Sequence, residues 1–134
     1  MSRSNKQLVR DYFTALSSTS DLPSDLFTDD MSVWTTMSAH AGKTEYLAGL
    51  KLLKSLFPSG LDYHVSSLTA EDDRVAAEVQ ANGVLANGGN YHNIYVFMFR
   101  IRDGRIASLA EHFNPAVVNA KIMPLFQAAN KGSG

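Results

Sequence analysis

A chain of 134 residues, 45% of them hydrophobic and 19% charged, is long enough to bury roughly two-thirds of its unfolded surface around one core. With a net charge of −1 and no basic block it offers little to a nucleic-acid backbone, and without cysteine it can form no disulfide, thiolate metal site or cysteine nucleophile. MSRSNKQLVR lacks the apolar run of a signal peptide and no segment has the length of a membrane span, so the expectation is a cytoplasmic protein with no membrane partner.

In chain order, Leu8, Val9, Tyr12, Phe13 and Leu16 recur at helical spacing and give a first helix one apolar face, which the serine-rich run SSTSD ends. Pro23 suits the first turn of a short second helix, where its missing N–H costs nothing. MSVWTTM is β-branched and aromatic enough for a strand. After Gly42, Thr44 is placed to cap a third helix with Leu47, Leu50, Leu53 and Phe57 turned inward, and Pro58 and Gly60 close it. Four strands follow: LDYHVSSLTA, DRVAAEVQANGVLA, NYHNIYVFMFRIR and RIASLAEHF. NGGN and RDGR supply the turns between the last three. PAVVNAKIMPLFQAA reads as helix, kinked or restarted at Pro124. Helices first, then antiparallel strands, predict an α+β fold. The expected form is a cone-shaped, curved, mixed but mostly antiparallel sheet wrapped around the N-terminal helices and enclosing a pocket. One domain is expected over residues 1–130, with a frayed tail over 131–134.

The RDGR turn decides what the last strand presents. A two-residue loop at Asp103-Gly104 would set Arg102 opposite Arg105, a like-charge pair, and would need positive φ at Asp103. A three-residue loop needs it only at Gly104, as a type I turn with a glycine bulge, and is preferred on that ground. Ile101 then pairs with Arg105, Phe99 with Ala107, Phe97 with Leu109, Tyr95 with Glu111 and Asn93 with Phe113. Ala107, Leu109, Glu111 and Phe113 share one face, so a carboxylate stands in phase with apolar residues. The opposite face, with His92, Ile94, Val96, Met98, Ala110 and His112, is too apolar for water and predicts a homodimer packed through the outer sheet face.

With these elements placed, the passages LVRDYFTALSS, LFTDDMSVW followed by a glycine before the third helix, and FRIRDGRIASLAEHFNP carry a resemblance spanning roughly residues 5–126. The chain resembles the nuclear transport factor 2-like (cystatin-like, SnoaL-like) superfamily, which mixes isomerases, cyclases, dehydratases, epoxide hydrolases and non-enzymatic domains. Ketosteroid isomerase, a member, uses an aspartate base with a tyrosine and a protonated aspartate as oxyanion donors. The resemblance places Tyr12 at the donor tyrosine, but Thr35 at the base and Phe97 at the second acid. The last strand is more similar to limonene epoxide hydrolase and SnoaL-type polyketide cyclases, whose cavity-facing acid Glu111 matches with one extra methylene. The arginine and second aspartate of the epoxide hydrolases fall on Ala81 and Gly83.

Glu111, walled by Leu109, Phe113, Phe97 and Tyr95, should have its ionised form disfavoured, which suits it to move protons near neutral pH. It is the expected catalytic acid or base, with Tyr95 and Asn93 orienting a substrate oxygen and Tyr12, Phe97, Leu109, Phe113 and Thr35 contributing to substrate binding. In LDYHVSSL either Tyr63 and Val65 or His64 and Ser66 point inward, and alternation does not choose. If the latter, His64 is a catalytic partner for Glu111. No histidine pair has metal-ligand spacing and no glycine-rich phosphate loop is present, so no metal or cofactor is expected. Two functions fit. One is cofactor-independent acid–base chemistry (isomerisation, cyclisation, dehydration or epoxide hydrolysis) on a mostly apolar substrate such as a polyketide, terpenoid or steroid-like compound. The other is a non-catalytic ligand-binding or dimerisation domain using the same pocket.

Overall fold

The computed structural model describes residues 4–38 and 40–132, the last four as backbone, so residues 133–134 of the expected tail lie outside the described residues. Helix α1 (Asn5–Ser17) buries Leu8, Val9, Tyr12, Phe13 and Leu16, and the Ser4 side chain accepts a hydrogen bond from the Gln7 amide at its start. The segment after Pro23 makes one 3-10 turn, Ser24–Leu26, with Pro23 just before it; the chain goes extended at Phe27. Strands β1 (Phe27–Thr35) and β2 (Ala41–Gly42) pair antiparallel. Helix α2 (Lys43–Ser55) begins two residues earlier than a Thr44 cap would start it, with Gly42 at the N-cap and no side-chain cap. Its inward face is Tyr46 and Leu50, with Leu47 and Leu53 packed partly against the core.

Strands β3 (Leu61–Glu71), β4 (Arg74–Val84), β5 (Asn90–Arg102) and β6 (Arg105–Phe113) follow, then α3 (Pro115–Lys121) and α4 (Met123–Gly132), separated at Ile122. The last helix thus runs two residues into the tail expected to fray. The sheet order is β2-β1-β6-β5-β4-β3, with β1 and β6 parallel and every other pair antiparallel. This is the expected mixed sheet against N-terminal helices, and it does not close into a barrel. Tyr12, Phe13, Phe27, Phe97 and Phe99 meet edge-on or stacked between α1 and the sheet. Gly83 lets Phe57 lie against β4, since a Cβ there would stand 2.9 Å from the Phe57 ring.

The last hairpin corrects the expected register. Asp103 (φ 52°) and Gly104 (φ 74°) form a two-residue loop, and Arg102 does face Arg105. That pairing is tolerable because the Arg102 guanidinium donates to the Asp30 carboxylate at 2.5 Å, so one of the two like charges is neutralised from β1. The extra residue sits further along. Ile101 pairs with Ile106 and Arg100 with Ser108, leaving Ala107 as a bulge. Beyond it Phe99 pairs with Leu109, Phe97 with Glu111 and Tyr95 with Phe113. Continued without the bulge, the register would set Glu111 opposite Val96, on the outer face. One inserted residue turns it inward.

Candidate active site

Between the inner face of the sheet, α2 and the C-terminal helices lies a cavity of about 310 Å³. Its wall is chiefly apolar (Val33, Leu50, Leu53, Phe113, Ile122 and Phe126 among others), which is what lets its few polar groups act strongly. Those groups come from different elements: Glu111 from β6, Thr35 beside it in parallel pairing from β1, Tyr46 from α2, Tyr63 from β3, and Tyr91 and Tyr95 from β5, while Ser38 and a second carboxylate, Glu45 of α2, are exposed. The Thr36 amide donates to the Glu111 carbonyl at 3.1 Å and the Phe113 amide to the Thr36 hydroxyl at 3.1 Å, so Thr36 ties down the backbone at the acid and two residues beyond it.

Glu111 is half-buried, keeping access through the cavity. No cation or hydrogen-bond donor among the described residues offsets the desolvation of its carboxyl, and burial pushes it up to about 7. Five phenols feel its charge: Tyr12, Tyr46, Tyr63, Tyr91 and Tyr95 are all raised, by burial first and by Glu111 among the further causes. Four form two pairs. The Tyr12 and Tyr46 hydroxyls hydrogen-bond one another, as do those of Tyr91 and Tyr95 at 2.7 Å, and the Asn93 amide donates to Tyr91 at 3.1 Å.

The sequence-predicted site residues divide cleanly. Glu111, Tyr95, Phe113 and Thr35 line the cavity. Thr35 is not free, however, because its hydroxyl bonds the Ser38 hydroxyl at 2.8 Å and accepts from the Ser38 and Met37 amides. Tyr12 is fully buried behind the wall and presents its hydroxyl to Tyr46 rather than to a ligand. Asn93 is also behind it, with its side chain spent on Tyr91, the Asn114 carbonyl and the Ile94 amide. Phe97 and Leu109 belong to the core and do not line the cavity. His64 is a correction: it is exposed, across from Gln80, while its neighbour Tyr63 faces the cavity, so no His–Glu couple forms. On this edge strand both alternating sets carry polar residues, and the register shifts at Ser66, so hydropathy could not select.

Tyr46 and Tyr91 escaped the sequence reading. Tyr46 could have been found, since it lies four residues before Leu50 and eleven before Phe57 on the helical repeat. Among the described residues no cluster of three or more histidines and acids could hold a metal ion, and no helix is long and apolar enough to cross a membrane.

The model of the SnoaL-like domain matches residues 9–109. The chain belongs to the SnoaL-like family. No curated protein sequence matches it. Among solved structures, this SnoaL-like chain superposes on an NTF2-like protein from Anabaena variabilis with a TM-score of 0.74 at 20% identity, covering 85% of this chain and 94% of the other. IdmH from Streptomyces antibioticus, described as a candidate polyketide cyclase, gives 0.76 at 16% identity over 88% and 97% of the two chains. A Catenulispora acidiphila protein with a ketosteroid isomerase-like fold, in complex with trimethylamine, gives 0.76 at 15% identity over 88% and 93%. At these identities the likeness is one of fold.

Proposed function

We propose that this SnoaL-like protein is a cofactor-independent enzyme for a small, mostly apolar, oxygen-bearing substrate, with Glu111 as its proton-transfer group. The observation that carries the reading is a carboxyl without an internal partner in the wall of an apolar cavity. As carboxylate, Glu111 takes a proton from a carbon next to a carbonyl. The C–H electrons form a carbon–carbon double bond and the charge passes to the oxygen. Return of the proton to another carbon completes an isomerisation; in a cyclisation the enolate carbon bonds to a second carbonyl carbon, that carbonyl's π electrons pass to its oxygen, and the resulting alkoxide takes the proton back from Glu111. Epoxide hydrolysis is disfavoured, because buried Ala81 and the packed backbone at Gly83 leave no place for the further arginine and aspartate.

The pH–rate profile tests this. With a base pushed up to about 7, kcat/KM should rise tenfold per pH unit below that value and level off above it. A profile flat from pH 5 to 9 would remove Glu111 from the chemistry. Binding of enolisable ketones without any turnover would favour instead the ligand-binding reading, which has support of its own: by the family resemblance Thr35 and Phe97 fall where a ketosteroid isomerase carries its acids.

The neighbours' printed names, a candidate polyketide cyclase and a ketosteroid isomerase-like fold, are compatible with the first reading. We also propose that the chain acts as a homodimer through the outer sheet face. Ile94 (61% exposed), Val96 (39%) and Met98 (40%) form an apolar row on β5 there. Light scattering should give a dimer mass for the native chain and a monomer mass for Ile94→Asp; a native monomer refutes the assembly.

A further inference from the structure

We propose that the group holding the substrate oxygen is Tyr63, and not the helix-borne Tyr12 at which the family resemblance points. The proposal rests on the acid–base reading of Glu111 and adds where the reacting oxygen must lie. Tyr12 is fully buried and its hydroxyl is occupied by Tyr46, so a ligand in the cavity meets Tyr46 before it. In each of the two phenol pairs one proton is left over, but the oxygens are already anchored to one another.

Tyr63 differs. Among the described residues its hydroxyl has no hydrogen-bond partner, although it lines the cavity and its ring leans on Phe13 and Tyr95. No side-chain polar atom is both buried and unpartnered among the described residues, so this hydroxyl opens on the cavity and takes its acceptor from whatever fills it, water or substrate oxygen. Its backbone is fixed for that task, since the Tyr63 amide donates to the Ser17 hydroxyl at 3.0 Å, tying β3 to the end of α1. Burial and the charge of Glu111 keep the phenol protonated, hence a donor. Base and donor thus come from strands at opposite ends of the β6-β5-β4-β3 run and face the same space. As the proton leaves carbon for Glu111, the charge growing on the carbonyl oxygen is met by the Tyr63 O–H.

The test compares two probes that differ by one oxygen, 2-tetralone and tetralin, by titration calorimetry on the native chain, Tyr63→Phe, Tyr95→Phe and Tyr46→Phe. Native protein should prefer the ketone, and Tyr63→Phe should cut ketone affinity roughly tenfold while leaving tetralin binding unchanged. Tyr95→Phe and Tyr46→Phe should keep the preference. The proposal is overturned if native protein shows no preference, if Tyr63→Phe retains it, or if another tyrosine carries it. As a check independent of the variant's folding, a fluorotyrosine at position 63 should shift its 19F resonance with tetralone and not with tetralin. Loss of the pH limb with the ketone preference intact would sink the acid–base reading and leave this contact standing. The reverse result would sink the contact alone.

Discussion

Replacing Glu111 with glutamine should lower turnover by two to four orders of magnitude, the usual worth of a positioned acid or base, with KM changed far less. The amide is nearly isosteric and cannot accept the proton. The same substitution should stabilise the fold at pH 8. The carboxyl has a folded value of about 7 against 4.5 for the free group, so between these values the unfolded chain loses its proton first. Stability is therefore fully present below about 4.5 and falls as pH rises to about 7, after which it is flat. The span corresponds to at most about 3 kcal/mol, and water in the open cavity reduces it to roughly 1–3. Glutamine removes this slope. Urea melts at pH 5 and pH 8 should show a difference in the native protein that the variant lacks. A variant with native turnover ends the proposed mechanism.

Deleting Ala107 should do large structural damage to the sheet. Without the bulge, the pairs Ile101–Ile106 and Arg102–Arg105 can persist, but everything beyond them moves to the other face. Leu109 and Phe113 would leave the interior, Glu111 would emerge beside Val96, and the residues now outside, including His112, would turn inward. Losing two large apolar side chains from the core costs about 3–6 kcal/mol before any penalty for the imidazole. For a chain of this size that is a fall of roughly 10 °C or more in melting temperature, measurable by calorimetry. A deletion that melts normally and keeps the pH-dependent stability just described would show that some other feature aims Glu111.

These two residues also mark where sequence reasoning succeeded and failed. The face of Glu111 was legible because Leu109 and Phe113 flank it at period two, and one extra residue was needed somewhere to keep that face inward. Its location was not legible. A glycine in the turn is a visible place for a bulge, whereas Ala107 carries no conformational signature, so the expected pairing of Glu111 with Tyr95 was off by two and the true partner is Phe97. The penalty for opposing Arg102 and Arg105 was real but was relieved by Asp30, 72 positions away, which no local pattern announces. The helix-borne core of α1 was read correctly because five apolar residues repeat on one stripe. The phenol pairs were not read, because hydropathy treats a tyrosine as core and says nothing of where its hydroxyl goes.

The parallel contact between β1 and β6 bears on how such a cavity comes into being. Thr36 and Glu111 are 75 positions apart, whereas β3, β4, β5 and β6 join their neighbours through short turns. Closing the larger loop costs more entropy than zipping a hairpin, so the meander can assemble while β1 still waits for its partner. Until β1 and the helices close the cavity, the carboxyl of Glu111 should keep its contact with bulk water and its ordinary proton affinity. The raised affinity should therefore emerge only as the cavity closes, and following it during refolding would time that event.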